Sequence, residues 1–323
     1  MPRRAPLPAE LGDAFTVADA AAVGVSRKRL RRPDVEHPFH RVRMRRQPSD
    51  DGDAGMFSAR RSDLRARVGA YALVMTDATF FCLHTAAVLH GYPLRMGPNA
   101  PIHAAVHHPG RAPRGRGVHG HAVRPTLAEV TVVHGIRVTS PATTWAMLGA
   151  HLSVGELVAF GDALIRIPRH PGGFRPPSGP PLATLDQLSR ALEAGRRVGA
   201  GRLREALPLL RTGSSSPAET AARLLLVDGG LPEPELDVDV FDASCRWIGC
   251  SELAYRVYRV AVEYEGDHHR TSRDQWNRDI AKYQAYAEVG WRVVRLTHEL
   301  VDRRPHEVIR QVAAALRAAG WTG

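Results

Sequence analysis

Glu263 and Glu265 stand two residues apart in an apolar run, Val260-Ala-Val-Glu-Tyr-Glu265, which turns at Gly266 into Asp267, His268 and His269. Alternate residues of a β-strand project to one side. Two carboxylates therefore share a face at a strand end, beside imidazoles. Like charges this close are costly unless a cation offsets them. A hard divalent ion with oxygen ligands is the usual partner. The chemistry this suits is phosphodiester hydrolysis, which needs an activated water and neutralised charge on a phosphorane-like transition state. Mg2+ or Mn2+ can supply both. His269 is suited to moving a proton or binding the scissile phosphate.

The elements that must position these groups are legible around them. Ser214-Ser-Ser-Pro-Ala-Glu219 opens a helix with capping serines and Pro217 in the first turn, and Gly229-Gly230 closes it. Glu219 lies in the first turn, where the helix dipole favours a carboxylate; a metal- or water-binding role is the alternative. Strands are predicted at 236–241, 246–255 and 257–265. The short gap at Tyr255–Tyr258 favours a hairpin between the last two. A long helix follows over 272–289, then a strand at 291–297 and an amphipathic helix at 305–319. The order is αβββαβ, then α. Strand, long helix and strand in succession predict a parallel crossover in a mixed sheet. Lys282 lies three residues after Asp279 on one helix face, as a surface lysine paired with Asp279 or as a lysine serving the carboxylates.

This order, with Ser216-Pro-Ala-Glu219, Gly230-Leu-Pro-Glu-Pro234, Ile248-Gly-Cys-Ser-Glu-Leu-Ala-Tyr255, Val262-Glu-Tyr-Glu-Gly-Asp-His-His-Arg270, Arg278-Asp279 and Gly290-Trp-Arg-Val-Val-Arg295, resembles the DUF559 endonuclease-like family. That family belongs to the PD-(D/E)XK superfamily and is related to the very-short-patch repair endonucleases. The resemblance covers residues 213–320. It implies a restriction-endonuclease-like fold, with Glu252 at the first metal-binding position, where the family normally has aspartate. It puts Glu263 at the second acidic position, Glu265 where the superfamily often has lysine, and His269 at a recurrent histidine. Lys282 is the candidate substitute for the missing lysine. The implied metal ligands are Glu252 and Glu263, and the implied catalytic set is Glu263, Glu252, His269, Glu265, Glu219 and Lys282.

The rest of the chain carries charge rather than acid–base chemistry. Of 323 residues, 44 are Lys or Arg and 33 Asp or Glu, for a net charge of +11. Such an excess favours polyanionic partners, nucleic acid above all. The only lysines are Lys28 and Lys282, so an arginine-rich composition accounts for part of it. Residues 1–50 hold eleven Lys/Arg against six Asp/Glu. Phe15–Gly24 reads as a short helix capped by Thr16, and Ser26–Arg32 as a second helix capped by Ser26. That spacing is a helix-turn-helix pattern, with Arg27, Lys28, Arg29, Arg31 and Arg32 around the second helix. His37–Arg46 reads as a β-wing bearing Arg41 and Arg43. In such a unit the second helix enters the major groove and the wing touches phosphate.

A polar linker at 47–55 leads to an α/β unit over 56–168, with a helix at 83–91 and a strand at 102–106. A hairpin turns at His134-Gly135, a helix is capped by Ser140, and an amphipathic helix spans 153–166. The histidines at 103, 107, 108, 119 and 121 lack metal-ligand spacing in sequence and read as solvated loop and strand side chains. Residues 169–212 are a Pro/Gly-rich linker with two helices at about 184–195 and 200–211. Phe15 to Met44 resembles the winged-helix domain of AbiEi-type antitoxins. His84-Thr-Ala-Ala, Gly91-Tyr-Pro-Leu94 and Val138-Thr-Ser-Pro-Ala-Thr-Thr-Trp145 resemble that family's companion domain.

The expectation is an α/β (α+β) multidomain chain: winged helix at 1–50, antitoxin-like α/β domain at 56–168, linker and helices at 169–212, and restriction-endonuclease-like domain at 213–323. Its expected activity is Mg2+-dependent DNA cleavage in phage defence or DNA repair. The alternative is an antitoxin-like transcriptional regulator with a degenerate nuclease fold and a cognate toxin as partner. Three cysteines without CxxC spacing, no apolar leader and no run of about 18 apolar residues predict a cytoplasmic protein with no membrane contact.

Overall fold

Thr16 starts the first helix as its sequence predicts, accepting from the Asp19 backbone N–H while Asp19 reaches back to the Thr16 N–H. In the computed structural model, which describes residues 6–46, 56–265 and 273–323, β1 (Ala14–Thr16) leads into α1 (Val17–Ala22). Two further strands, β2 (Val35–Glu36) and β3 (Val42–Arg45), complete a small sheet of order β1-β3-β2. Phe15, expected inside the helix, is a buried residue of β1.

The second helix is not formed. Ser26 does cap, taking the Arg29 N–H at 3.2 Å, but only Arg29–Arg31 make a single 3-10 turn. Pro33 pushes the residue before it out of helical backbone, and Arg32 is extended. Leu30 is the segment's one apolar anchor, too little to offset the cost of helix nucleation. Arg29 is held by a bidentate ion pair to Asp34, at 3.0 and 2.7 Å. Arg27, Lys28, Arg31, Arg32 and Arg41 stay exposed, and Arg43 is half-buried.

The chain then runs through α2 (Met56–Ala72), β4 (Phe80–Phe81), α3 (Leu83–Leu89), β5 (Ile102–His107), β6 (Val118–Val123), β7 (Val130–Val133), β8 (Ile136–Thr139) and α4 (Pro141–Leu148). The five strands form a sheet of order β6-β5-β4-β8-β7. The predicted hairpin is there, with β7 and β8 antiparallel and His134-Gly135 at the turn in left-handed backbone. Ser140 caps α4 with Pro141 in the first turn. The elements of this stretch not foreseen are α2, whose arginines hide its apolar stripe of Leu64 and Val68, the two-residue strand β4, and β6.

Two compact units emerge: residues 1–150 with 190–198, and 151–189 with 199–323. The helix expected at 153–166, α5 (Val154–Ile165), belongs to the second unit, not to the α/β unit placed at 56–168. Next come α6 (Leu185–Glu193), α7 (Ala200–Ala206), α8 (Pro217–Asp228), β9 (Glu235–Phe241), β10 (Trp247–Tyr255), β11 (Val260–Glu265), α9 (Arg273–Glu288), β12 (Arg292–Thr297), α10 (His298–Arg303) and α11 (Pro305–Ala318).

The four strands order as β12-β11-β10-β9. β10 pairs antiparallel with β9 and β11, and β11 pairs parallel with β12, the predicted crossover running through α9. Alternation sorts the two faces. Val260, Val262 and Leu253 join Leu226 of α8 and Val308 and Val312 of α11 in the larger core. Ala261 and Val240 pack with Tyr286 of α9 on the other side. No helix among the described residues is long and apolar enough to cross a membrane.

Candidate functional site

The sheet's two middle strands bring the predicted carboxylates together. Leu253 of β10 pairs with Val262 of β11, so one step further Glu252 stands beside Glu263 across the ladder. Opposite residues of an antiparallel pair share a face. Glu263 is only 5% exposed. Glu252 is half-buried and accepts the Tyr264 backbone N–H at 2.8 Å. Burial drives the Glu252 carboxyl up to about 8, and the charges of Glu219 and Glu263 push the same way.

Glu219 joins from α8. Ser216 caps that helix through the Glu219 N–H at 3.2 Å, and the Glu219 carboxylate takes the Ser215 N–H at 2.7 Å. The serine cap and the first-turn carboxylate are as expected from sequence; the bond from the Ser215 N–H to Glu219 is an addition. Yet Glu219 is 5% exposed, and burial raises its carboxyl above the ordinary range. Its charge acts on Glu252, so the cap and the carboxylate cluster are served by one side chain.

Lys282 corrects the expectation of a surface lysine facing Asp279 or solvent. Its Nζ donates to Glu263 Oε2 at 2.9 Å. The ammonium lies 5.3 Å from the Tyr286 ring centroid and 5.8 Å from that of Tyr283, a cation–π arrangement. Gly249 makes room for the stem: a Cβ there would sit 3.2 Å from Lys282 Cγ and Cε and from Tyr286 Oη. The other Glu263 oxygen, Oε1, is buried with no hydrogen-bond partner among the described residues.

Glu265 is drawn into an ion pair with Arg295 of β12, so its carboxylate is not directed to Glu263. His269 falls outside the described residues.

A further group is invisible in the local sequence. Arg169, in the Pro/Gly-rich segment, pairs with Asp237 and donates to Asp239 of β9 at 2.7 Å. The Gly172 N–H also reaches Asp239, at 2.7 Å. Asp237 sits in left-handed backbone and accepts from Cys250 Sγ at 2.9 Å. This strap lies along the edge strand, where unpaired backbone would otherwise be exposed. Asp237 is close enough to add to the charge felt by Glu219.

Among the described residues, no three His, Cys, Asp or Glu side chains converge as ready-made metal ligands. The donor set still suits a hard cation. It has two buried or half-buried carboxylates side by side, a third nearby, an oxygen on Glu263 with no hydrogen-bond partner among the described residues, and a Glu252 carboxyl that burial and its acidic neighbours cause to hold its proton.

The chain is similar to two uncharacterized proteins of Mycobacterium tuberculosis, one from strain CDC 1551 / Oshkosh and one from strain ATCC 25618 / H37Rv. Each is 27% identical over 270 residues, covering 83% of this chain and 93% of the relative. That length exceeds either compact unit, so the likeness runs through both. No family model matches, and no solved structure does.

Short motifs marked the glutamates as chemistry-bearing. They carried no sign that Gly249, Tyr283 and Tyr286 form the cradle of Lys282, because those residues meet only when α9 lies on the sheet. The aromatic spacing Tyr283-x-x-Tyr286, one residue after the lysine, is the one local hint.

Proposed function

We propose that the second unit is a metal-dependent endodeoxyribonuclease domain of the PD-(D/E)XK type, with a basic first unit that binds DNA. The observation that carries this reading is the gathering of Glu219, Glu252, Glu263 and Lys282 from α8, β10, β11 and α9 at one place on the sheet. Glu252 and Glu263 are the residues that would hold Mg2+ or Mn2+. When bound, the ion supplies a Lewis acid and a water of lowered pKa.

The chain's own groups do the rest. Lys282, held by Glu263 and the two tyrosines, places a positive charge where an anionic phosphate must come. Glu219 is buried at the edge of the cluster, placed to accept a proton from the attacking water or to orient it. Tyr264 donates its backbone N–H to Glu252 and so fixes one carboxylate oxygen. The exposed cations Arg27, Lys28, Arg31, Arg32 and Arg41 supply phosphate contacts without a formed recognition helix.

Supercoiled plasmid with Mg2+ or Mn2+ is the test. Nicking by the wild type is expected, with Glu263→Gln and Lys282→Met each slower by about 100-fold or more. Equal rates in all three proteins, or no nicking by any, removes the enzyme reading.

A second reading has its own support in the Lys282–Glu263 pair, which neutralises the cluster without a metal. On this reading the nuclease fold is degenerate, and the protein is an antitoxin-like transcriptional regulator. DNA binding without cleavage is then expected, with a log–log salt slope steepening by about 0.9 per phosphate contact. Replacing Arg27, Lys28 and Arg41 together flattens that slope; an unchanged slope counts against DNA binding by the first unit.

A further inference from the structure

We propose that the first unit contains a transition-metal site made by His84, His103 and His121, with His119 as a fourth imidazole, and that it takes Zn2+ or a similar borderline first-row ion. In sequence His103, His119 and His121 read as solvated loop and strand side chains, and His84 as part of a short apolar helix. The parallel pairing of β5 with β6 brings them together: His103 lies opposite His119 and Ala105 opposite His121. Positions 103, 119 and 121 thus project from one face of the sheet. The helix α3 adds His84 to the same place, tied to β5 where the His103 N–H donates to the Thr85 hydroxyl at 2.9 Å.

His103 is the hub. Its ring centroid is 5.4 Å from each of those of His84, His119 and His121. His103 Nδ1 and His121 Nε2 are 3.1 Å apart. Two nitrogens each about 2.0–2.1 Å from one zinc ion at the tetrahedral angle stand roughly 3.3–3.4 Å apart, so this pair needs to open by only about 0.2–0.3 Å to share an ion. A hydrogen bond between two neutral imidazoles also explains that one distance. It does not explain four imidazoles centred on one ring.

As the side chains stand, three donors do not yet meet at one point. His84 and His119 have to turn about their own side-chain torsions to join the pair. His119 is exposed and the other three are half-buried, which leaves room for that turn and a path for the ion.

The ligand class follows from the donors. Imidazole suits Zn2+, Cu2+ and Ni2+, whereas Mg2+ and Ca2+ take oxygen. The site is therefore chemically distinct from the carboxylate cluster of the second unit and stands without any claim about nuclease activity.

The test is calorimetric titration of the full chain with ZnCl2, in a Glu252→Gln/Glu263→Gln background that silences the carboxylates. Visible spectra with CoCl2 give a second readout. One Zn2+ per chain with micromolar or tighter affinity is expected, and d–d bands with Co2+. The His103→Gln/His121→Gln pair should weaken binding by about 100-fold or more and abolish the bands, since even outer-shell partners of a metal ligand are worth about 10–100-fold. His306→Gln, at an exposed position of the second unit, should change nothing. If the double variant loses its native circular dichroism, the exposed His119→Gln decides, with an expected loss of about tenfold. Absence of zinc binding, or zinc binding that persists in the folded histidine variants, overturns the proposal.

Discussion

Asp162→Ala is expected to lower the stability of the second unit by about 3–5 kcal/mol, the range for removing one partner of a buried ion pair. Asp162 of α5 and Arg223 of α8 are both 1% exposed and meet at 3.0 Å. The Asp162 carboxylate also takes the Thr220 hydroxyl at 2.9 Å and the Arg211 backbone N–H at 2.7 Å. Arg223 reaches the Leu209 carbonyl and Glu233 as well. Burial outweighs all these partners and holds the Asp162 carboxyl above its ordinary range, so each member is tolerable only while the other is present. Alanine at 162 leaves the buried guanidinium with only Glu233 and the Leu209 carbonyl, and takes the acceptor from the Thr220 hydroxyl and the Arg211 N–H. Urea denaturation at neutral pH measures the loss. The paired replacement Asp162→Leu/Arg223→Met should recover most of it, because two apolar side chains of similar size leave no unmatched charge. A single-variant loss below about 1 kcal/mol sinks the idea. The effect reaches the candidate site, since Thr220 is the residue after Glu219. Loosening this junction should also slow plasmid nicking.

Divalent-ion affinity at the carboxylate cluster is expected to rise about tenfold per pH unit between pH 6 and 8 and to level off above. Glu252 carries its proton up to about 8, and a carboxylate must lose that proton to ligate a metal. Binding at pH 7 should therefore release close to one proton. Calorimetry with Mn2+ in buffers of different ionisation enthalpy reads this directly. Identical heats in all buffers, with a flat pH profile, would falsify the assignment of Glu252 as a ligand.

The same shift has a stability counterpart. The folded-state value lies above the ordinary 4.5, so between these two pH values the folded chain holds a proton that the unfolded chain has released. Stability then falls as pH rises. The contribution is fully present below about 4.5 and is lost as pH climbs to about 8. Glu252→Gln should flatten this slope and leave the metal-free protein more stable than wild type at pH 8, but not at pH 5.

The candidate site was partly legible in the sequence. Glu263 announced itself by alternation in an apolar strand, and Glu219 by its place after capping serines. Glu252 came through the resemblance to an endonuclease-like family, and the ladder sets it beside Glu263. Lys282 was the open case. Its sequence neighbours offered Asp279 as a partner, but packing of α9 on the sheet turned it to Glu263 instead. Glu265 shows the reverse. Its spacing from Glu263 suggested a shared role, but Arg295, opposite Glu263 in the parallel ladder with β12, reaches diagonally to pair with Glu265. The basic segment at 26–32 misled for a local reason, a proline too soon after the cap.

Periodicity, caps and breakers act within a few residues. They were enough for the order from α8 to β12, the hairpin between β10 and β11, the crossover through α9 and the carboxylate strand itself, but not for α10. Strand register and helix docking act between residues far apart in the chain, and no short motif records them. The Lys282–Glu263 pair, the Asp162–Arg223 junction, the Arg169 strap and the histidine cluster all depend on such long-range pairing. The histidines make the case most plainly: the nearest ring nitrogens of His103 and His121, eighteen residues apart in sequence, are 3.1 Å apart in space, because parallel pairing of β5 with β6 makes them diagonal neighbours on one face.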